Sequence, residues 1–135
     1  MTAAALEPVR IAVHLSAGEE GATSGTFVAT GLLGDTGAIP RLERFPALAL
    51  HLDVPLVVHG AESFAGRAGT IAIAYDGVFR PVAPGVFAGE GSWRVSGGDH
   101  AYDRLDASGF WRSTAVFGRD GLAVDTLFEG SGTMR

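Results

Sequence analysis

Gly91-Ser92-Trp93-Arg94-Val95-Ser96-Gly97-Gly98, continued by Asp99-His100-Ala101-Tyr102-Asp103-Arg104-Leu105 and then Ser108-Gly109-Phe110-Trp111, reads as strand, glycine break, one tight helical turn and second strand. Each strand carries a Trp, Trp93 or Trp111, on the face that two-residue alternation turns inward. Tyr102 and Leu105 stand three apart, a spacing that sets two side chains on one side of a helical turn. The turn near 99–106 is therefore expected to plug one end of whatever the strands enclose. Gly97-Gly98 is expected to supply backbone freedom there.

Outward from this unit, helical periodicity nearly disappears and alternation continues, punctuated by 20 Gly and 6 Pro. Strands are expected near 10–15, 25–33, 48–54, 56–59, 70–75, 78–82, 86–95, 108–117 and 122–130. Turns are expected at Glu19-Glu20-Gly21, Gly34-Asp35-Thr36-Gly37 and around Pro81 and Pro84. The fold class that follows is all-β: a single antiparallel β-barrel of about eight strands spanning 1–135, with a short helical turn near 99–106. A β-sandwich with a dry core is the plain alternative.

Two Asp-Gly pairs read as hairpin turns, since Asp-Gly between alternating strands is the strongest short hairpin signal. A turn at Asp120-Gly121 pairs Arg119 with Leu122, Phe117 with Val124, Ala115 with Thr126 and Ser113 with Phe128, all on the side of Trp111. The other side then opposes Val116 to Asp125, Thr114 to Leu127 and Arg112 to Glu129, an opposite-charge pair contributing about 0.2–1 kcal/mol. A turn at Asp76-Gly77 groups Ile71, Ile73, Tyr75, Val78 and Arg80 on one face, with Ala72, Ala74 and Phe79 on the other. There, and along 47–58, large residues alternate with small ones, the pattern of strands covered on both sides.

Composition narrows the function classes. The chain has 135 residues, enough for one domain with its own core. Apolar residues make up 47% and charged residues 19%, which implies an enclosed apolar cavity, self-association or both. A net charge of -5 disfavours nucleic-acid binding, which needs a basic patch. All 10 positive charges are Arg, a bias typical of GC-rich coding. With 0 Cys, disulfides, thiolate nucleophiles and Cys-based metal sites are excluded. Residues 1–10 lack a basic region followed by an apolar run, and no window has membrane-spanning length, so a cytoplasmic location is expected.

No catalytic signature stands out. His51 and His59 share a face but lie about 26 Å apart at standard strand rise, so no metal site is expected unless Pro55 breaks the strand. Asp99-His100 with Ser96 nearby reads as a helix-initiating Asp beside an exposed His, not as a catalytic dyad. Gly85, Gly89 and Gly91 read as barrel bends and not as a phosphate loop. Candidate pocket residues are Trp93, Trp111, Phe128, Phe27 and Tyr75, with Ser113, Thr126 and His51 as hydrogen-bonding points, the composition of a small-molecule site. Taken singly, each aromatic residue reads first as core filling.

The order Gly-x-Trp-x-Val-x-Gly-Gly, Ala-Tyr-x-x-Leu and Gly-x-Trp resembles the allene oxide cyclase-like barrel superfamily, which includes dirigent proteins and spirotetronate-forming Diels–Alderases. Gly69-Thr70-Ile71-Ala72-Ile73 and Phe128-Glu129-Gly130 fit as well, and the match runs from Gly66 to Gly130. Ala107 or Ser108 stands where a further glycine is expected. The resemblance implies an antiparallel barrel whose lumen accepts a hydrophobic small molecule, and a chain that self-associates, a dimer being favoured. It points to a cofactor-independent cyclase or isomerase on a polyketide-like substrate, with no cofactor and with no membrane or nucleic-acid partner. Such an enzyme works by holding a flexible substrate in a reactive shape, worth up to about 7–11 kcal/mol in ideal cases. The rival is a lipocalin-like carrier or a structural barrel without ligand.

Overall fold

The computed structural model describes residues 6–17, 23–39, 55–118 and 121–134. The strands are β1 (Glu7–Ala17), β2 (Thr23–Gly31), β3 (Asp35–Ala38), β4 (Leu56–Gly66), β5 (Thr70–Ala83), β6 (Val86–Gly98), β7 (Leu105–Gly118) and β8 (Gly121–Met134). All are antiparallel in chain order, and β8 returns to pair with β1 from Ala17↔Leu122 to Glu7↔Gly132. The sheet is a closed barrel, as its alternating sequence predicts. The short helical piece between β6 and β7 is a 3-10 turn at His100–Tyr102. Among the described residues no helix is long and apolar enough to cross a membrane.

Alternation decides which side chains fill the lumen. Val9, Ile11, Val13 and Leu15 of β1 are buried while Arg10, Ala12 and His14 between them are exposed. Phe27, Phe64, Ile71, Ile73 and Phe87 are likewise enclosed. Each such side chain contributes roughly 1.5–3 kcal/mol on leaving water. Glycines on the inner face make room for the largest rings. Trp111 lies across Gly91 and Gly77: its indole fills the space that a Cβ on either glycine would need. Its Nε1–H donates to the Asp76 carbonyl at 3.1 Å. Trp93 pairs directly with Gly109, and its Nε1–H is shared between the carbonyls of Phe110 and Glu129, both at 3.2 Å.

Both hairpin readings need correction. In β7–β8 the pairs are Phe117↔Leu122, Ala115↔Val124, Ser113↔Thr126, Thr114↔Asp125 and Val116↔Ala123, two residues away from the expected register. The ladder closes at Gly118↔Gly121, so Gly121 belongs to β8 and not to the turn. A shift of two preserves which side faces inward, so the buried face is as expected. Arg112 faces Leu127, yet it still reaches Glu129 diagonally, Nη2 to Oε1 at 3.5 Å. Asp76-Gly77 makes no turn. β5 runs straight through it, putting Phe79 inward with Ile71 and Ile73 while Arg80 points out. Gly77 is there for the Trp111 indole, and the actual β5–β6 turn is at Pro84-Gly85, with Gly85 at φ +71.

Four further readings change. Residues 35–38, expected as a turn, form β3, and β4 continues to Gly66 where a strand ending at His59 was expected. Gly97 and Gly98 keep ordinary strand dihedrals, and Gly98 instead allows close approach of the Tyr102 backbone. Asp99 occupies the N-cap position but does not cap the 3-10 turn. Its carboxylate accepts the Thr70 N–H at 2.6 Å, and this bond, with the neighbouring His100, lowers its pKa. The expected strand at 48–54, the turn at 19–21 and Asp120 lie outside the described residues.

The 3-10 turn does plug one end. Tyr102 and Leu105 are buried there, and the Tyr102 hydroxyl donates to Asp35 Oδ2 at 2.6 Å. The Asp35 carboxylate also accepts backbone N–H groups from Thr36 (2.8 Å), Arg67 (2.9 Å) and Ala68 (3.1 Å). The Tyr102 hydrogen bond, helped by these backbone donors against the cost of burial, holds the Asp35 pKa at about 2. Burial, and then the Asp35 bond, push the Tyr102 phenol above its usual range.

Candidate functional site

Away from this clamp the described residues leave a cavity in the lumen. Val13 and Leu15 of β1, Phe79 of β5 and Val124 of β8 form its apolar wall, and Phe64, Trp111 and Phe128 form its aromatic floor. Tyr75, Thr126 and Glu62 bring polar atoms into it. The cavity measures about 60 Å³, room for about four water molecules or one end of a larger ligand. Trp111 is the hub of the rings: Phe79 packs at 5.6 Å between centroids, and Tyr75 meets it edge-on at 6.2 Å and 86°.

Glu62 is the unexpected residue. On β4 the inward series is Val58, Gly60, Glu62, Phe64, which puts a carboxyl group inside an otherwise apolar wall. Burial raises its pKa to about 7, only partly opposed by a hydrogen bond from the Ser63 N–H. Tyr75, facing it from β5, is raised too, by burial first and then by the Glu62 charge. The signal was present in the sequence. The alternation Val58, Gly60, Glu62, Phe64 continues past His59, and a Glu on the apolar parity of a strand marks a buried acid.

The expected pocket residues divide. Trp111, Phe128, Tyr75 and Thr126 line the cavity. Trp93 packs edge-on against Phe128 at 6.1 Å, and Phe27 against Phe64 at 5.4 Å; both are fully covered by the core. Ser113 is buried, and its hydroxyl is paired with that of Thr126 at 2.8 Å. His51 lies outside the described residues. Both indole N–H groups are engaged by backbone carbonyls, so the rings offer shape and polarizable surface and no free donor.

The remaining histidines are exposed beside carboxylates, two on the outer wall and one on the 3-10 turn: His14 with Asp125 at 2.7 Å, His59 with Asp76 at 3.2 Å, His100 with Asp99 at 3.2 Å. The last pair joins neighbours at the 3-10 turn, where His100 is exposed as expected. Ser16 Oγ lies 3.4 Å from His14 Nε2, completing a Ser-His-Asp sequence of contacts on the exterior. Ser16 is paired in the ladder on both sides, with Ser24 and Ala123, so backbone donors for an oxyanion are already committed to the sheet. Among the described residues no group of three or more His, Asp or Glu is placed to hold a metal ion. No family model matches the chain, and no curated protein or solved structure matches it.

Proposed function

We propose that this barrel is a cofactor-independent cyclase or isomerase for a hydrophobic, polyketide-like molecule, one end of which enters the cavity, and that it belongs with the allene oxide cyclase-like barrels. Cycloaddition lies within this reading. The observation that carries it is Glu62, an acid set inside a half-enclosed pocket walled by Trp111, Phe79, Phe64 and Phe128. Such a pocket orients an apolar chain, excludes water and holds a proton donor or acceptor matched to neutral pH, so that cofactor-free rearrangement is within its means. A cytoplasmic setting and self-association as a dimer complete the proposal. Phe110, 76% exposed on the outer wall and next to Leu127 across β8, is the contact that a second copy would cover.

A second reading, an apolar carrier, is favoured by the internal pairing of Ser113 with Thr126 and of both indoles with the backbone, which leaves few groups free for chemistry. Titration with the neutral dye N-phenyl-1-naphthylamine tests the pocket that both readings need. One saturable site is expected, abolished by filling the cavity with Val124→Trp in a folded barrel. Absence of binding, or binding indifferent to Val124→Trp, refutes the assignment. Turnover of a ketone probe, described below, separates enzyme from carrier.

A further inference from the structure

We infer that the cavity is built to enolise a ketone, with the Glu62 carboxylate taking the proton from the carbon beside the carbonyl and the Tyr75 hydroxyl donating to the carbonyl oxygen. This rests on the ligand pocket proposed above and names the substrate class, an enolisable carbonyl compound, together with the two groups that act on it.

Three observations carry it. Glu62 and Tyr75 stand on adjacent antiparallel strands, both inward, with Gly60↔Tyr75 and Glu62↔Ile73 in register, so the two polar groups are diagonal neighbours on one wall of the cavity. Gly60, directly opposite Tyr75, leaves the phenol its place; a Cβ there would lie 3.0 Å from the hydroxyl oxygen. Third, these two groups differ from the other polar groups of the lumen. Asp35 and Tyr102 are bonded to each other, as are Ser113 and Thr126, and both indoles are bonded to carbonyls. Among the described residues, neither the Glu62 carboxyl nor the Tyr75 hydroxyl has a side-chain partner, and both border the cavity.

The chemistry balances without any added reagent. Glu62 takes the α-proton, the C–H electron pair becomes the C=C bond of an enolate, and its oxygen is held by the Tyr75 O–H. The Glu62 carboxyl then returns the proton. Returned at the far end of a conjugated system, it shifts a double bond. Delivered to the alkoxide formed when the enolate carbon attacks a second carbonyl, it completes a ring closure by C–C bond formation. Either way substrate and product are isomers and the carboxylate is restored.

Electrostatics fit this role. Burial holds the Glu62 carboxyl at about 7, basic enough to take a carbon-bound proton yet ionised in part at neutral pH. Among the described residues the titratable group facing it is Tyr75, from β5; β1, β7 and β8 turn Val13, Trp111 and Thr126 toward the cavity, none of which titrates there. His59 and Asp76 are on the outer side of the wall.

Pent-4-en-2-one, a slender ketone with a movable double bond, is the probe. Its conversion to the conjugated pent-3-en-2-one is read by ultraviolet absorbance, and its binding by calorimetry. Turnover by the intact protein is expected to rise with pH through a midpoint near the Glu62 pKa of about 7. Glu62→Gln is expected to lower kcat about 100-fold or more with KM little changed. Tyr75→Phe is expected to lower kcat about 10- to 100-fold, again at similar KM. Binding without turnover above the buffer rate, or turnover that survives Glu62→Gln, overturns the enolisation chemistry and leaves the pocket standing. If neither the ketone nor the naphthylamine dye binds, the pocket reading falls and takes this inference with it.

Discussion

The barrel holds two acid–tyrosine pairs, and they are treated in opposite ways. At the plugged end Asp35 collects the Tyr102 hydroxyl and three backbone N–H groups, and its pKa falls to about 2. In the cavity Glu62 has the Ser63 N–H, a neighbouring Tyr75 and apolar walls, and its pKa rises to about 7. Burial raises both pKa values, but at Asp35 the hydrogen-bond donors outweigh it and at Glu62 it dominates. A carboxylate given several donors is stabilised as an anion, while a desolvated one given few is pushed toward its neutral form. The first arrangement is a fastener. The second stores chemical potential in a place that a ligand can reach.

The comparison is most forcefully broken at Asp35. Asp35→Ala leaves the buried Tyr102 hydroxyl without its partner and hands the Arg67 and Ala68 N–H groups of the exposed β4–β5 turn to water. The expected loss is about 3 kcal/mol or more in urea unfolding. A loss below about 1 kcal/mol would show that the clamp is dispensable.

Next in size is the pH dependence, where the two acids have opposite signs. The folded pKa of Asp35 lies below its ordinary 3.8, so its contribution is complete above about pH 4 and disappears as pH falls toward 2. The folded pKa of Glu62 lies above its ordinary 4.5, so between about 4.5 and 7 the native state binds more protons than the unfolded chain, and stability drops as pH rises. That drop has an upper limit of about 3 kcal/mol, reduced by solvent at the cavity mouth. In Glu62→Gln the decline across pH 4.5–7 is expected to vanish while the acid limb below pH 4 persists. A Glu62→Gln curve parallel to that of the parent protein would deny the desolvated acid.

Smaller again is Tyr102→Phe, which removes one hydrogen bond to a charged group and is expected to cost about 1.5–3 kcal/mol in urea, while Tyr75→Phe costs under about 0.5. Equal costs would erase the distinction between fastener and reactive pair. The smallest effect is expected from Gly60→Ala. Its methyl group crowds the Tyr75 hydroxyl, so stability should change by about 1 kcal/mol or less, while turnover of the ketone probe falls several-fold. Unchanged turnover would mean that the phenol does not depend on that gap.

The architecture was legible because barrel walls demand strict alternation. In β7–β8 the expected register was wrong by two residues, yet every described side chain fell on the correct face, since the pleat repeats every two. Asp76-Gly77 misled for a long-range reason. The glycine answers to Trp111, 34 positions away, and turn propensity cannot report such a neighbour. Asp35 reads locally as a turn residue, and its donors come from segments that only the fold brings together. Glu62 was within reach of the pattern and was missed by ending β4 at His59. Trp111, Phe128, Tyr75 and Thr126 border the cavity. Trp93 and Phe27 share their strand parity, and only their depth along the barrel sets them apart.

The Asp35 clamp also bears on how the chain comes apart. Its donors Arg67, Ala68 and Tyr102 lie 32, 33 and 67 residues from it along the chain, so it closes only after β3, the β4–β5 turn and the 3-10 turn have all arrived. An interaction of such long sequence separation is expected to form late, so that Asp35→Ala speeds unfolding more than it slows folding in stopped-flow measurements. On that expectation Asp35 is a latch set last, governing how long the assembled barrel survives more than how quickly it assembles.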